Sequence, residues 1–292
     1  MSNYYYLVTG LADISFDDEK LLYSFLSFRE EIYNSVTKKD QQLIDLIYQQ
    51  YDHDNLLYML ANFSKPDKRE EDNELVDNVI ESRGLFTKDE LFYMILAIKN
   101  GDEPSSVFPE YMVEFVNEFF LDSLDINSPI AKERLLTLFF QYTQTVPNIF
   151  VRRWFEFNMD LNNIIAGFIA RKHSLDINTM IVGDNYVAKA VSHSGARDWG
   201  LSLEIDFFDE LAIIQEESQL TEREKKIDML KWNWLDNNSF FNYFSIEKLF
   251  SFIIKIEIVE RWITLDKEKG QRLFRALIES LKQDVEIPAE YR

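Results

Sequence analysis

The sequence predicts an all-α protein, and three observations carry that prediction. The 292 residues include only 8 glycines and 6 prolines, the residues on which tight turns between strands depend. Signals for the start of a helix recur along the chain, and apolar residues follow them at helical spacing. We therefore expect long helices joined by short connections.

Helix starts are marked most clearly at three places. The stretch TKDE (87–90) is a capping box, in which Thr87 is the N-cap and Glu90 bonds back to the Thr87 amide. The stretch SPIAKE (128–133) places a serine N-cap before a proline, and TERE (221–224) repeats the capping box. With the apolar periodicity, these signals predict helices that begin near residues 17, 38, 53, 72, 88, 110, 129, 148, 161, 177, 206, 222, 246 and 266.

Apolar residues in the second half of the chain fall on helical faces. Behind the TERE stretch, they lie at i, i+3, i+7 and i+8, at Ile227, Leu230, Trp234 and Leu235. The same spacing recurs at Leu273, Phe274, Leu277, Ile278 and Leu281. Residues 249–263 are apolar almost all round, which indicates a buried helix, although their β-branched residues leave a strand as the alternative. The tryptophans are expected in the core, and an exposed one would be a candidate interface anchor.

Two stretches have the composition of connections. Residues 63–74 (FSKPDKREEDNE) are charged and aperiodic, and residues 182–200 hold three of the eight glycines. The second stretch lacks the glycine patterns of nucleotide-binding loops, so an ordinary loop is the better interpretation. We expect residues 1–292 to form a single helical body of repeated bundles, with sub-boundaries near these two stretches.

The charge and the cysteine content exclude several classes of protein. With 31 basic and 51 acidic side chains the formal charge is −20, which disfavours binding to nucleic acids and to anionic lipid and favours a protein partner with basic patches. The absence of cysteine excludes disulfide frameworks and thiolate chemistry. The first residues do not have the pattern of a signal peptide, and no apolar run approaches the ~20 residues of a membrane span. A cytoplasmic protein without direct lipid insertion is expected.

One small construction occurs twice in the chain. The pairs Asp52/Asn55 and Asp160/Asn163 each form Asp-x-x-Asn followed by two aliphatic residues. We interpret both as structural helix caps, because an aspartate carboxylate accepts the free N–H groups of a first helical turn and an asparagine three residues later lies on the same face. Two independent caps remain one explanation, and an internal duplication of helical units is the other.

These stretches resemble a known family. YDHDNLLYML (51–60), MDLNNIIAGFIARK (159–172) and the carboxyl-terminal residues 251–281 are similar to the C-type subunits of V-type and archaeal-type ATPases, which are the d-type subunits of eukaryotes. The opening YYYLVTGLADI (4–14) looks most like a short bacterial group encoded with V-type ATPase components. The resemblance also implies a helix break, a short turn between Asp266 and Gly270 followed by a final helix.

The resemblance implies a mechanical role. Members of that family are funnels of helical bundles with pseudo-threefold symmetry. They receive the central stalk and rest on the proteolipid ring of the membrane. The implied partners are therefore central-stalk subunits and the proteolipid ring, with no cofactor and no catalytic residue. The implied location is the inner face of the membrane, where the protein is held by protein partners.

The scarce basic residues are candidates for partner contacts. Arg152, Arg153, Arg171 and Lys172 flank the second Asp-x-x-Asn copy and stand out in an acidic sequence. A contact patch for an acidic partner surface is one interpretation. Compensation of helix ends and internal ion pairing is the alternative, and the electrostatics of helix termini favour it.

An enzyme is the weaker hypothesis. None of the three histidines has the ligand spacing of a metal site, and the Glu-x-x-His motif of di-iron bundles does not occur. We therefore predict no catalytic and no metal-binding residue. A stand-alone helical scaffold or adaptor is the second hypothesis, and a hydrolase with a site assembled from distant residues is the third.

Overall fold

The computed structural model describes residues 4–63, 82–121 and 124–284, and within these ranges the protein is helical and has no strand. The all-α prediction is confirmed. The chain divides into two compact units, here called the terminal unit (Met1–Val36 with Phe240–Arg292) and the central unit (Thr37–Ser239). The predicted sub-boundary at 182–200 lies inside the central unit, and the one at 63–74 falls almost wholly outside the described residues.

The terminal unit consists of α1 (Tyr5–Thr9), α2 (Phe25–Tyr33) and α11 (Ile246–Asp284). Helix α2 packs on α11, where the rings of Phe28 and Phe252 lie 5.0 Å apart. The Phe25 amide donates to a carboxylate oxygen of Glu260 at 3.1 Å. Most of residues 249–259 are buried, so the helical interpretation of that apolar stretch is confirmed. Helix α2 starts at Phe25, not near residue 17.

The central unit contains α3 (Lys38–Phe63), α4 (Lys88–Asn100), α5 (Glu110–Phe120), α6 (Pro129–Thr145), α7 (Ile149–His173), α8 (Tyr186–His193), α9 (Phe208–Gln215) and α10 (Leu220–Ser239), with a 3₁₀ turn at Ile177–Thr179. Helices α3 to α6 pack on one another, and α7 contacts α6, α8, α9 and α10. Helix α7 is thus the element around which the second half of the unit is built.

Local capping chemistry explains several of the observed starts. Thr87 and Glu90 form the predicted capping box of α4, in which the Thr87 amide donates to Glu90 Oε2 at 2.8 Å. Ser128 caps α6 with Pro129 in its first turn, where the missing N–H costs nothing. The predicted starts near residues 38, 88, 110, 129, 148, 206, 222 and 246 are confirmed.

Other predicted starts are wrong. The starts near residues 53 and 161 do not exist, because α3 and α7 run through them without a break. Helix α11 likewise continues through residues 266–270, where the resemblance implies a turn. The start near residue 72 lies outside the described residues. The arrangement of the helices into internal repeats stays a prediction.

Candidate functional site

The first Asp-x-x-Asn copy lies in the interior of α3, not at its start. Asp52 is fully buried, and its two carboxylate oxygens accept the amide N–H groups of Leu85 at 2.9 Å and Phe86 at 3.2 Å. These amides directly precede Thr87, the N-cap of α4. Asp52 therefore does not cap its own helix, and the helix-cap prediction is wrong in that respect. It fixes the turn that leads into a helix more than thirty residues later in the sequence.

Close approach of that turn to α3 requires a glycine. A Cβ added at Gly84 would lie 2.2 Å from Asp52 Oδ1 and 3.2 Å from the amide nitrogen of Asn55. Asn55 is also buried, at 2% exposure. The Asp52 carboxylate and the backbone amides of Leu85 and Phe86 thus form one buried polar contact, with Asn55 and Gly84 beside it, which we call the α3 clamp.

The second copy lies in the interior of α7 and holds a different turn. Asn163 makes two bonds to the backbone of Val182, accepting its N–H at 2.9 Å and donating to its carbonyl oxygen at 2.8 Å. Asp160 accepts from the side-chain amide of Asn185 at 2.7 Å, and Asn185 is the N-cap of α8. Like Asp52, neither Asp160 nor Asn163 caps its own helix. We call this contact the α7 clamp.

A glycine also stands in the turn held by the α7 clamp. Gly183 has φ +79°, in the left-handed region that side chains disfavour, and its N–H donates to Thr137 Oγ1 at 3.1 Å. The turn is therefore fixed by α6 and α7 together. Both clamps thus share a plan, in which Asp-x-x-Asn within a long helix binds a glycine-containing turn just ahead of the N-cap of a later helix.

Burial shifts the titration of the α7 clamp. The pKa of Asp160 is raised from 3.8 to about 6, chiefly by its burial and further by the nearby charge of Glu156, while the hydrogen bond from Asn185 opposes the shift. Above that pKa the buried carboxylate carries a charge that is only partly compensated. The α7 clamp is therefore sensitive to pH in the mildly acidic range.

His53 lies beside the α3 clamp in an aromatic environment. Its Nε2 is 3.0 Å from the Tyr111 hydroxyl, and its ring meets that of Phe139 edge-on at 4.8 Å. Burial lowers the pKa of His53 to about 3, although Asp54 acts in the opposite direction. Burial also raises the pKa of Tyr111 well above 10. Both groups are neutral at neutral pH, and the imidazole serves as a packed hydrogen-bonding group of the core.

The four basic candidates do not form one patch. Arg153 and Arg171 are both on α7 and separated by 18 residues, or about 27 Å along the helix. The Arg171 guanidinium lies 3.9 Å from the ring centre of Trp199 and donates to the carbonyl oxygens of Ala196 and Arg197 at 2.6 and 2.5 Å. The Arg171 guanidinium is thus bound by backbone carbonyls and an indole ring of its own chain, although the residue is exposed.

The other three basic candidates differ in their exposure. Lys172 and Arg153 are exposed, and Arg152 is half-buried. A partner contact through Arg171 and these three residues stays a prediction.

The described ranges contain neither a cluster of metal-binding side chains nor a membrane-spanning helix. In them, no group of three or more histidine, aspartate or glutamate side chains is placed to hold a metal ion. None of the helices described there is both long and apolar enough to span a membrane.

Comparison with known proteins gives a family. Residues 1–285 match the family described as "Protein of unknown function (DUF2764)". The chain belongs to the DUF2764 family. No curated protein and no solved structure matches it.

Proposed function

We propose that the protein is a non-enzymatic coupling subunit of a rotary V-type ATPase, which links the central stalk to the proteolipid ring. One observation carries this proposal. The two stretches that resemble the C-type ATPase subunits, around Asp52 and Asp160, have the same structural task of fixing a turn ahead of a helix. A shared task at both copies is what tandem helical modules of one body would produce.

The clamps suit a part that transmits force. Hydrogen bonds weaken steeply as their geometry departs from the ideal, so a buried bond between a helix and a turn resists displacement in a defined direction. Asn163 bonds both the N–H and the carbonyl of Val182. With close-packed helices around it, such a body deforms little under load, as a coupler between a rotating stalk and a ring requires.

The chemistry beside the clamps supports a structural role. His53 has a pKa of about 3 and bonds to a buried tyrosine, whereas a general base works best with a pKa near the operating pH. We accordingly assign no catalytic residue and no cofactor. In this proposal the protein sits at the inner face of the membrane through its protein partners.

Purification from the native host tests the assembly. A tagged copy, extracted in mild detergent, is expected to carry central-stalk and proteolipid subunits in fixed proportion. A different and reproducible set of partners would instead favour a stand-alone scaffold or adaptor. Reproducible turnover in a phosphatase and nucleosidase screen would overturn the non-enzymatic assignment.

A genetic experiment tests the coupling itself. Deletion of the gene is expected to abolish ATP-driven ion pumping in membrane vesicles, whereas ATP hydrolysis should fall by a smaller fraction. The variant Asn163→Ala should reduce the number of ions pumped per ATP, and the exposed neighbour provides the matched control Asn162→Ala. Unchanged pumping in the deletion strain would refute the proposal.

A further inference from the structure

A groove on the central unit is lined by more negative than positive side chains. It has a volume of about 730 Å³ and lies between α7, α10, α9 and the turn that precedes α9. Four exposed carboxylates line it, those of Glu156, Glu204, Asp206 and Glu210. In the described part of the chain none of the four forms an ion pair. Arg153 provides a single positive charge in this lining.

The groove also has an aromatic wall. Trp234 is half-buried and stacks on Phe157, with ring centres 5.3 Å apart and planes inclined by 17°. Phe207 meets Phe157 edge-on at 4.9 Å on the same side. A tryptophan face is the strongest aromatic site for a cation, and no cation of the described chain lies over this ring.

One carboxylate oxygen of the α7 clamp is left without a donor in this groove. Asp160, at 8% exposure, contributes to the lining, and its Oδ1 accepts from Asn185. Its Oδ2 has no hydrogen-bond donor within the described ranges. A carboxylate oxygen with so little access to water gains from a protein donor, and a donor arriving in the groove would satisfy it.

We propose that this groove binds a basic, arginine-containing segment of a partner protein. A guanidinium is flat enough to stack on Trp234, and its several N–H donors match carboxylates such as Asp160 and Glu156. The volume accommodates several side chains, and the amides of Asn233 and Asn237 on α10 offer partners for the main chain of a peptide. The assignment does not depend on the rotary ATPase.

Binding of a defined peptide tests the groove. The probe is a fluorescein-labelled nine-residue peptide in which arginine alternates with glycine, followed by anisotropy at physiological salt. The variant Glu204→Gln/Asp206→Asn/Glu210→Gln is expected to bind it about tenfold more weakly than the wild type, because three facing charges are lost. Circular dichroism verifies that each variant is folded.

A charge-matched control separates the groove from the overall acidity. Asp102→Asn/Glu103→Gln/Glu216→Gln also removes three negative charges, all at exposed positions outside the groove. This variant is expected to bind within about twofold of the wild type. Equal weakening in both triple variants would overturn the proposal, since the peptide would then be held by net charge alone.

Two further arms test the chemistry of the occupant. The wild type should bind the arginine peptide more tightly than a lysine peptide of the same design, and Trp234→Leu should abolish this preference. An absent preference, or one that survives in the leucine variant, would refute the arginine assignment. Spermine at equal charge concentration is expected to displace the peptide poorly. Displacement as effective as by unlabelled peptide would assign the groove to a free polyamine.

Discussion

Asn163→Ala is expected to destabilise the central unit strongly, although it removes only a small polar side chain. The substitution deletes two hydrogen bonds and leaves both the N–H and the carbonyl of Val182 without their partner. Asn163 is 1% exposed and Val182 is 9% exposed, so water replaces these bonds poorly. Each unpaired buried group costs about 1–3 kcal/mol, so the two groups together give a loss of about 2–6 kcal/mol in the free energy of unfolding.

Urea unfolding and thermal melting measure this loss directly. For a body of this size, at about 3 °C per kcal/mol, a loss of about 2–6 kcal/mol corresponds to a fall of about 6–18 °C in melting temperature. Asn162→Ala is the control, because Asn162 is adjacent on the same helix but exposed, and its effect should stay within about 0.5 kcal/mol. If Asn163→Ala unfolds at the same urea concentration as Asn162→Ala, the α7 clamp does not stabilise the fold and the reasoning fails.

Three other predictions follow from the clamps and their surroundings. Asp160→Asn should become more stable relative to the wild type as the pH rises from about 4 to 7, because burial raises the pKa of Asp160 to about 6 and ionisation favours the unfolded chain. His53→Gln should flatten the loss of stability that the wild type shows below about pH 6.5, because the pKa of His53 is lowered to about 3 and protonation favours unfolding. Urea titrations at stepped pH measure both effects, and parallel profiles for variant and wild type would contradict them. Gly84→Ala should cost about 1–3 kcal/mol, because the added Cβ would lie 2.2 Å from Asp52 Oδ1. Gly195→Ala meets no atom within 4 Å and is the neutral control. Equal melting temperatures for Gly84→Ala and Gly195→Ala would contradict the expected steric cost at Gly84.

The fold class and many helix starts are encoded locally, which is why the sequence predicts them. Thr87 and Glu90 bond each other within one helical turn, and the capping box at α4 needs no distant partner. Ser128 and Pro129 likewise define the start of α6 through neighbours in the chain. Where a capping residue and the group it bonds lie within four residues of each other, the sequence pattern alone is enough to predict the helix start.

The clamps show where local patterns fail. Asp52 has the residue type and the following aliphatics of an N-cap, yet its partners are the amides of Leu85 and Phe86. A carboxylate that accepts backbone N–H groups gives the same pattern whether the amides belong to its own helix or to a turn far along the chain. The glycine and N-cap of the held turn, at Gly84 and Thr87, are the signal that identifies the second case.

Composition misled the interpretation of residues 182–200, and the family resemblance misled that of residues 266–270. The glycine-rich stretch 182–200 contains α8, which begins behind the N-cap Asn185. Gly183 and Gly200, on either side of this short helix, both have φ +79°, a conformation that favours glycine. Gly270 lies inside α11, because a single glycine costs a helix only ~1 kcal/mol and does not end it.

The two clamps use the same residue types in different roles, and this difference bears on their purpose. In the α3 clamp the aspartate binds the backbone of the turn, while in the α7 clamp the asparagine does so and Asp160 binds the side chain of the following N-cap. Sequence similarity alone would not require that both clamps bind the equivalent structural position, which is the turn just before the N-cap of a later helix. Buried polar groups usually add little net stability, but they specify one geometry among the many that an apolar core allows. In both clamps, buried polar groups fix the position at which a later helix begins. Fixed helix positions are what a force-transmitting body needs.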